Sequence, residues 1–188
     1  MSAFEYFVVL SSLILGLGIA QILQGFSDLV AHYDKIRFSI VHTVYAVVVF
    51  IIHLQDWWYT YQYSMQIESW TFLLSISLLS FHIVLFLQAR ILFPTGQRSG
   101  ETDMVAYFAE NWRLLYFLGS ITVLHSIISN IFLSGYSFVE QIHLIVYFLV
   151  YQTFIFFRIQ NFYAHVTFVS LQLVVAIIAI ATDTNSIM

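Results

Sequence analysis

Long runs without a charged residue alternate with short charged segments along this chain. Each run is long enough for a membrane helix, which needs about 17–25 mostly apolar residues. Six helices are therefore predicted, over residues 5–27, 38–56, 70–90, 114–134, 141–157 and 161–182. Only Arg158 and a tight turn separate the last two runs. We predict two helices there, because one combined helix would far exceed the ~30 Å hydrocarbon core of a bilayer.

The one long connection, over residues 93–112, lies between the third and fourth runs. Thr-Gly and Ser-Gly pairs near its start indicate turns. Its second half, from Asp103 to Trp112, carries apolar side chains at helical spacing and predicts a short interfacial helix leading into the fourth span. No second domain or internal repeat is visible. The sequence therefore predicts a single all-α membrane domain over residues 1–188.

The basic residues all fall on one side of this predicted bundle, and the positive-inside rule makes that side cytoplasmic. They are Lys35, Arg37, Arg90, Arg98, Arg113 and Arg158. Both termini then face outward. The outer side carries acidic residues, Asp56 among them, and a belt of Trp and Tyr between Trp57 and Trp70, as is typical of a membrane interface.

Composition and the motifs that are absent narrow the function further. Hydrophobic residues make up 61% of the chain and charged residues only 9%, against about 25% in a soluble domain, which excludes a soluble enzyme. The absence of Cys excludes disulfides, thiolate nucleophiles and iron–sulfur clusters. Without a basic run, nucleic acid is not expected as a partner. No zinc-protease, nucleophile-elbow or phosphate-loop motif occurs, so we predict no catalytic residue and no metal site.

Several short motifs, spread over most of the chain, together resemble the pattern of a known protein family. They are Phe4-Glu5-Tyr6, Leu15-Gly16-Leu17-Gly18-Ile19-Ala20-Gln21, Gln24-Gly25, His42, Gln55-Asp56-Trp57-Trp58, Trp70-Thr71-Phe72 and Ala106-Tyr107-Phe108. This pattern resembles a widespread family of small bacterial integral membrane proteins with about six helices. The resemblance implies a multi-pass protein of the bacterial cytoplasmic (inner) membrane. It implies no activity, ligand or site.

Two predicted spans carry polar or small residues at four-residue steps, which share one helix face. In the first span these are Ser12, Gly16 and Ala20, extended by Gln24 and Asp28. In the fourth they are Thr122, Ser126, Asn130 and Ser134, with His125 close by. Close helix packing explains both stripes. The alternative is that they line a polar path through the membrane.

Histidines carry the candidate chemistry, because imidazole titrates near neutral pH and polar groups at mid-membrane depth are often functional. His82 and His125 are predicted near the middle of the bilayer. Asp56 follows His53 by three residues, so the carboxylate is expected to reach that imidazole. The predicted polar path comprises Asp28, His53, Asp56, His125 and Asn130.

Three functions remain open. The first is a non-enzymatic bundle whose His-bearing interior passes protons or small solutes. The second is a structural or accessory subunit of a larger membrane complex. In the third, His82 and His125 ligate haem b from two helices, which requires imidazoles at similar depth that face each other. No other cofactor is expected. The expected partners are the lipid bilayer and either further copies of the chain or a partner membrane subunit.

Overall fold

Six α-helices form the protein in a computed structural model that describes residues 2–67, 69–94 and 102–183. The helices are α1 (Ala3–Ala31), α2 (Ile40–Gln66), α3 (Phe72–Leu92), α4 (Met104–Phe132), α5 (Ile142–Phe157) and α6 (Phe162–Asp183). Two short strands, β1 (Ile36–Arg37) and β2 (Thr102–Asp103), pair in parallel beside the start of α4. The predicted all-α bundle is confirmed.

Local signals at the helix starts explain where four of the helices begin. Ser2 and Glu5 form a reciprocal capping box at α1, since each side chain accepts a hydrogen bond from the other residue's backbone N–H. Ser39 and Thr71 cap α2 and α3 through their hydroxyl oxygens. Asp103 caps α4 by accepting from two backbone N–H groups. Each cap supplies an acceptor to N–H groups that lack partners within the helix.

Five of the described helices are long and apolar enough to cross a membrane, and α5 is the shorter sixth with 16 residues. The chain is therefore a multi-pass membrane protein. Helix α5 spans about 24 Å at 1.5 Å per residue. It runs antiparallel to both neighbours, because Gln141 at its start meets Asn130 of α4, and Phe154 near its end meets His165 of α6.

Two helices extend beyond their predicted bounds. Helix α2 continues ten residues past Asp56, which is buried in the bundle and does not lie at the outer interface as expected. Helix α4 begins at Met104, so the predicted interfacial helix is the first part of one 29-residue helix. The reason is continuity of its buried face, since Met104, Phe108 and Trp112 are followed in register by the core residue Leu115.

Helix α2 is central, with contacts to α1, α3, α4 and α6. Helix α1 also packs on α3, and α4 packs between α3 and α5. The middle of the bundle is aromatic. The ring of Tyr116 on α4 lies 5.4–5.6 Å from the rings of Tyr45, Tyr151, Phe154 and Phe168. These rings connect α2, α4, α5 and α6 through edge-on and tilted contacts, which are favourable geometries for aromatic pairs.

The two ends of the bundle differ in charge. The basic end is where α1, α3 and α5 finish, and its described basic residues are Lys35, Arg37, Arg90, Arg113 and Arg158. There Arg37 pairs with Asp103 at 3.1 Å. The backbone N–H of Ala106 donates to Asp103 and, with the Arg37 guanidinium, holds the pKa of that carboxyl below its usual range. The opposite, acidic end carries Glu5 and Glu140.

Candidate functional site

A column of polar side chains follows the buried face of α2. We call this set the α2 polar column: His42, Tyr45, His53, Asp56 and Thr60. All five are buried, the most exposed being Asp56 at 6%. Their spacings of three, eight, three and four residues keep them on one helix face, which Val49 shares. From the first to the last they cover about 27 Å of helix, close to the ~30 Å hydrocarbon thickness.

Near the acidic end, the column meets α1 and α3. We call this group the Asp56–His82 cluster: Asp56, Thr60, His82 and Ser11. The Nε2 atom of His82 lies 3.0 Å from Asp56 Oδ2, and its Nδ1 atom lies 3.0 Å from the hydroxyl of Ser11. The Asp56 contact is electrostatic, because its angles are not those of a directed hydrogen bond. Thr60 donates to the Asp56 carbonyl at 2.8 Å and lies 3.4 Å from His82 Nε2.

The next member of the column, His53, has one ring nitrogen bonded and one unpaired. Its Nδ1 contacts the Val49 carbonyl at 2.7 Å, and because a carbonyl only accepts, Nδ1 carries the proton. In the neutral ring, Nε2 then holds a lone pair, and it makes no hydrogen bond of standard geometry with the described residues, although the Leu85 backbone of α3 lies close to the ring. Gly18 on α1 makes room for it, since a β-carbon added there would lie 2.7 Å from Nε2.

Tyr45 forms the middle of a second buried network. Its hydroxyl donates to the Leu115 carbonyl at 2.9 Å and accepts from the Gln88 amide at 2.7 Å. Tyr151 accepts in the same way from Gln172 at 2.6 Å. Both tyrosine hydroxyls approach Gly119 of α4, where an added β-carbon would lie within 3.0 Å of each oxygen. The network therefore joins α2, α3, α5 and α6 over a glycine that leaves space for it.

His42 completes the column at the basic end. Its Nε2 donates to the Leu92 carbonyl at the end of α3, at 2.6 Å. Its Nδ1 has no partner in the described chain. The ring is fully buried and packs edge-on against Phe93. His42 thus repeats the state of His53, with one N–H bonded to a carbonyl and one nitrogen that carries an unbonded lone pair.

The buried side-chain atoms that lack a partner within the described ranges share one property: all five are acceptors. They are His42 Nδ1, His53 Nε2, Asp56 Oδ2, Gln88 Oε1 and Gln172 Oε1. Four of them belong to the α2 polar column or to a side chain bonded to it. Buried polar atoms without partners are rare, because each costs about 1–3 kcal/mol. The interior therefore favours a species that brings hydrogen-bond donors.

A cavity of about 380 Å³ lies between α1 and α2 near the acidic end. Its lining consists of Phe4, Val8, Ser12, Leu15, Trp57, Trp58, Thr60 and Tyr61. Thr60 also belongs to the Asp56–His82 cluster, so the cavity reaches the polar column through this residue.

The structure does not join the residues of the predicted path: His125 is bonded to Ser77 of α3, and the other four residues lie in three separate regions. His53 and Asp56 lie together on the α2 polar column, although the Asp56 carboxylate contacts His82 and not His53, because the bundle brings α3 against this turn of α2. Asp28 is exposed near the basic end. Asn130 donates to Gln141 at 2.8 Å and links α4 to the start of α5.

The histidines proposed as haem ligands, His82 and His125, do not face each other with free nitrogens. His125 donates through Nε2 to the Ser77 carbonyl at 2.9 Å, and its Nδ1 lies 3.2 Å from the Ser129 hydroxyl. The ring nitrogens of His82 contact Ser11 and Asp56. Ligation of haem by this pair requires these contacts to break, so the residues do not fit the group. Among the described residues no three His, Asp or Glu side chains converge as a metal site.

Most of the small-residue stripe of the first span faces away from the bundle, and its first residue, Ser12, borders the cavity between α1 and α2. Ser12, Gly16 and Ala20 are exposed, and nothing lies within 4 Å of a β-carbon added at Gly16. The buried face of α1 carries different small residues, Ser11, Gly18 and Gly25. Gly25 allows the ring of Phe93 to pack against the helix backbone.

Sequence analysis missed the roles of Tyr45, Gln88, Ser11 and Gln172. The signal for Tyr45 was present, because positions 42, 45, 49, 53, 56 and 60 follow helical spacing through α2. The partners on other helices carry no such signal, since the sequence does not show which helix faces meet. Comparisons with protein-family models, with curated proteins and with solved structures give no match to this chain.

Proposed function

We propose that this protein is a non-enzymatic membrane bundle that passes protons along the α2 polar column. One observation carries the proposal: every unpaired buried side-chain atom in the described interior is an acceptor, and two of them are imidazole nitrogens. Water and hydrated protons supply the donors that such atoms need. Histidine takes up and releases protons near neutral pH, as a relay requires.

The two histidines of the column are oriented alike. In each, the bonded N–H points to a carbonyl nearer the basic end, Val49 for His53 and Leu92 for His42. A proton accepted at the unpaired nitrogen makes the ring an imidazolium. Water that enters the column takes the proton from the other nitrogen, because the Val49 and Leu92 carbonyls cannot hold it. The neutral ring then turns over to return to its starting tautomer. The Asp56–His82 cluster supplies the proton from the acidic end.

The step between His53 and Tyr45 is the narrowest part of the proposed path. Eight residues separate them, or about 12 Å of helix, and the intervening turns present Val49 and Ala46, both fully buried. That distance is far longer than a hydrogen bond, so a proton cannot pass directly from His53 to Tyr45. Water must enter this segment for protons to pass, so we propose that it limits the rate of conduction.

We further propose that the protein lies in a bacterial inner membrane with its basic end in the cytoplasm. The positive-inside rule supports this orientation, because the described basic residues all lie at that end. The resemblance to small bacterial multi-span proteins supports the location. In this orientation the Asp56–His82 cluster lies in the outer half of the bilayer.

The proposal is tested by proton flux in liposomes that contain a pH-sensitive dye and carry an imposed potential. Asp56→Asn removes the carboxylate that contacts His82, and we expect flux to fall at least about tenfold, as for loss of a positioned proton-transfer group. Asp28→Asn is the matched control, because this exposed carboxylate lies off the column, and it should conduct like the wild type. Equal flux in both variants and the wild type would contradict the proposal.

A second candidate, an accessory subunit of a larger membrane assembly, is favoured by the outward face of α1. Gly16 and Ala20 leave that surface flat, and small residues allow close approach of another membrane helix. A second membrane protein that co-purifies in mild detergent, together with absence of flux, would favour this candidate over conduction.

A further inference from the structure

The cavity between α1 and α2 combines aromatic walls with hydroxyl groups. Trp57, Trp58 and Tyr61 line it from α2, with ring centroids of neighbouring pairs 6.4 and 5.9 Å apart. Ser12 and Thr60 supply the hydroxyls. Its volume of about 380 Å³ is that of a small-molecule site, for which about 300–1,000 Å³ is usual.

The polar part of this cavity accepts hydrogen bonds. Thr60 donates its own proton to the Asp56 carbonyl, so the hydroxyl oxygen offers only lone pairs to a ligand. Asp56 lies directly behind Thr60, and its Oδ2 atom, which contacts His82 Nε2 at 3.0 Å, makes no directed hydrogen bond in the described chain. A ligand that brings N–H donors therefore fits this end of the cavity better than one that brings acceptors.

The charge around the cavity favours a cation. Glu5 and Glu140 lie at the same end of the bundle, and the described basic residues lie at the other. The backbone N–H and the hydroxyl of Ser137 donate to Glu140 and hold the pKa of its carboxyl below the usual value, so it stays ionised at neutral pH. Acidic charge at this end of the bundle raises the local concentration of cations there.

We propose that this cavity binds a small protonated amine that carries an aromatic or other apolar group. The ammonium donates to Thr60, behind which the Asp56 carboxylate supplies negative charge, and the apolar group lies between Trp57, Trp58 and Tyr61. Indole and phenol rings attract cations through their faces and bury apolar groups, so the walls serve both parts of the ligand. This inference goes beyond the proposed function, because binding does not require protons to cross the bundle.

Three probes of the same size and different charge test the proposal: 2-phenylethylamine, 2-phenylethanol and 3-phenylpropionate. Binding to the full chain in lipid nanodiscs is measured by calorimetry at pH 7.5, with empty nanodiscs as the background for partitioning into lipid. We expect the amine to bind at least about tenfold more tightly than the alcohol, and the anion to bind more weakly than both. Equal affinity for the three probes, or no binding of the amine above the lipid background, would overturn the proposal.

Variants locate the site. Trp58→Leu should weaken amine binding several-fold, while Trp58→Phe, which keeps an aromatic face, should retain most of it. Asp56→Asn should reduce the preference for the amine over the alcohol, and Asp28→Asn should leave it unchanged. Trp58 is partly exposed, so we expect Trp58→Leu to keep the fold even if Asp56→Asn disrupts it. Amine binding that is unchanged in Trp58→Leu would place the ligand elsewhere and refute the assignment. Since no gradient is applied, the result does not depend on flux.

Discussion

Single contacts determine what each buried imidazole in this bundle can do. His165 uses both ring nitrogens. Its Nε2 donates to the Ile159 carbonyl, and its Nδ1 lies 3.0 Å from the Tyr116 hydroxyl. His53 and His42 each use one, and the second nitrogen makes no directed hydrogen bond in the described chain. All three rings are buried. Position in the sequence does not separate these cases, because the difference lies in which groups the neighbouring helices bring.

Asp103 is the residue whose role is tested most simply outside the membrane. Its carboxylate caps α4 and pairs with Arg37. Its pKa is lowered in the folded protein, first by the hydrogen bond from Ala106, so its stabilising effect is present above the ordinary value of about 3.9 and is lost as pH falls through the folded value. Asp103→Ala should therefore lower the thermal midpoint at pH 7, and the difference from wild type should shrink in acid.

Asp103→Asn is the matched control for this cap. An amide oxygen still accepts from the helix N–H groups, so this variant should keep more of the stability than Asp103→Ala. The measurement is thermal unfolding in detergent, followed by circular dichroism at pH 7 and near pH 3. A midpoint for Asp103→Ala that matches wild type at pH 7 would show that neither the cap nor the pair with Arg37 contributes.

At the scale of helices, the sequence located the helices well but did not show which face of each helix is buried. Charge-free runs located all six helices, since a bilayer requires such runs of every crossing segment. The sequence did not show which face of α1 is buried, because in a membrane both the buried and the lipid-facing sides are apolar. Two small-residue patterns lie on this helix. In the four-step stripe, Gly16 and Ala20 point outward and Ser12 borders the cavity, whereas the seven-step series of Ser11, Gly18 and Gly25 packs against the bundle.

Glycines on the two faces of α1 should respond oppositely to alanine. Gly18→Ala places a β-carbon 2.7 Å from His53 Nε2, so the imidazole must move, and we expect a loss of about 1–3 kcal/mol, as for an overpacked core. Gly16→Ala meets nothing within 4 Å and should be neutral or stabilising by about 0.5–1 kcal/mol, since alanine favours helix. Thermal unfolding of both variants in nanodiscs measures this, and a similar effect at the two positions would contradict the assigned faces of α1.

At the scale of the whole molecule, charge asymmetry and the polar column define one direction through the bundle. The basic end was predictable from sequence, because the positive-inside rule needs only charges and spans. The polar column was not predictable, because the sequence analysis placed Asp56 at the outer membrane interface. In the structure α2 continues for ten residues beyond Asp56. The aromatic residues after Asp56 suggested a helix end, yet Trp57 and Trp58 line a cavity between helices.

The absence of cysteine makes this orientation directly testable, since an introduced thiol is the only one in the chain. Tyr33 and Tyr136 are both exposed and lie at the basic and acidic ends. A membrane-impermeant maleimide applied to intact bacteria should label Tyr136→Cys and not Tyr33→Cys, and both variants should react after permeabilisation. Labelling of Tyr33→Cys alone in intact cells would reverse the orientation.

Proton flux through liposomes with His53→Gln, compared with His143→Gln, tests the central claim most directly. His53 is buried on the column with an unpaired nitrogen, whereas His143 is exposed on α5. Glutamine keeps hydrogen-bonding groups but does not titrate, so we expect His53→Gln to reduce flux at least about tenfold and His143→Gln to conduct like wild type. Wild-type flux in His53→Gln, with the protein folded and inserted, would contradict a proton path along α2.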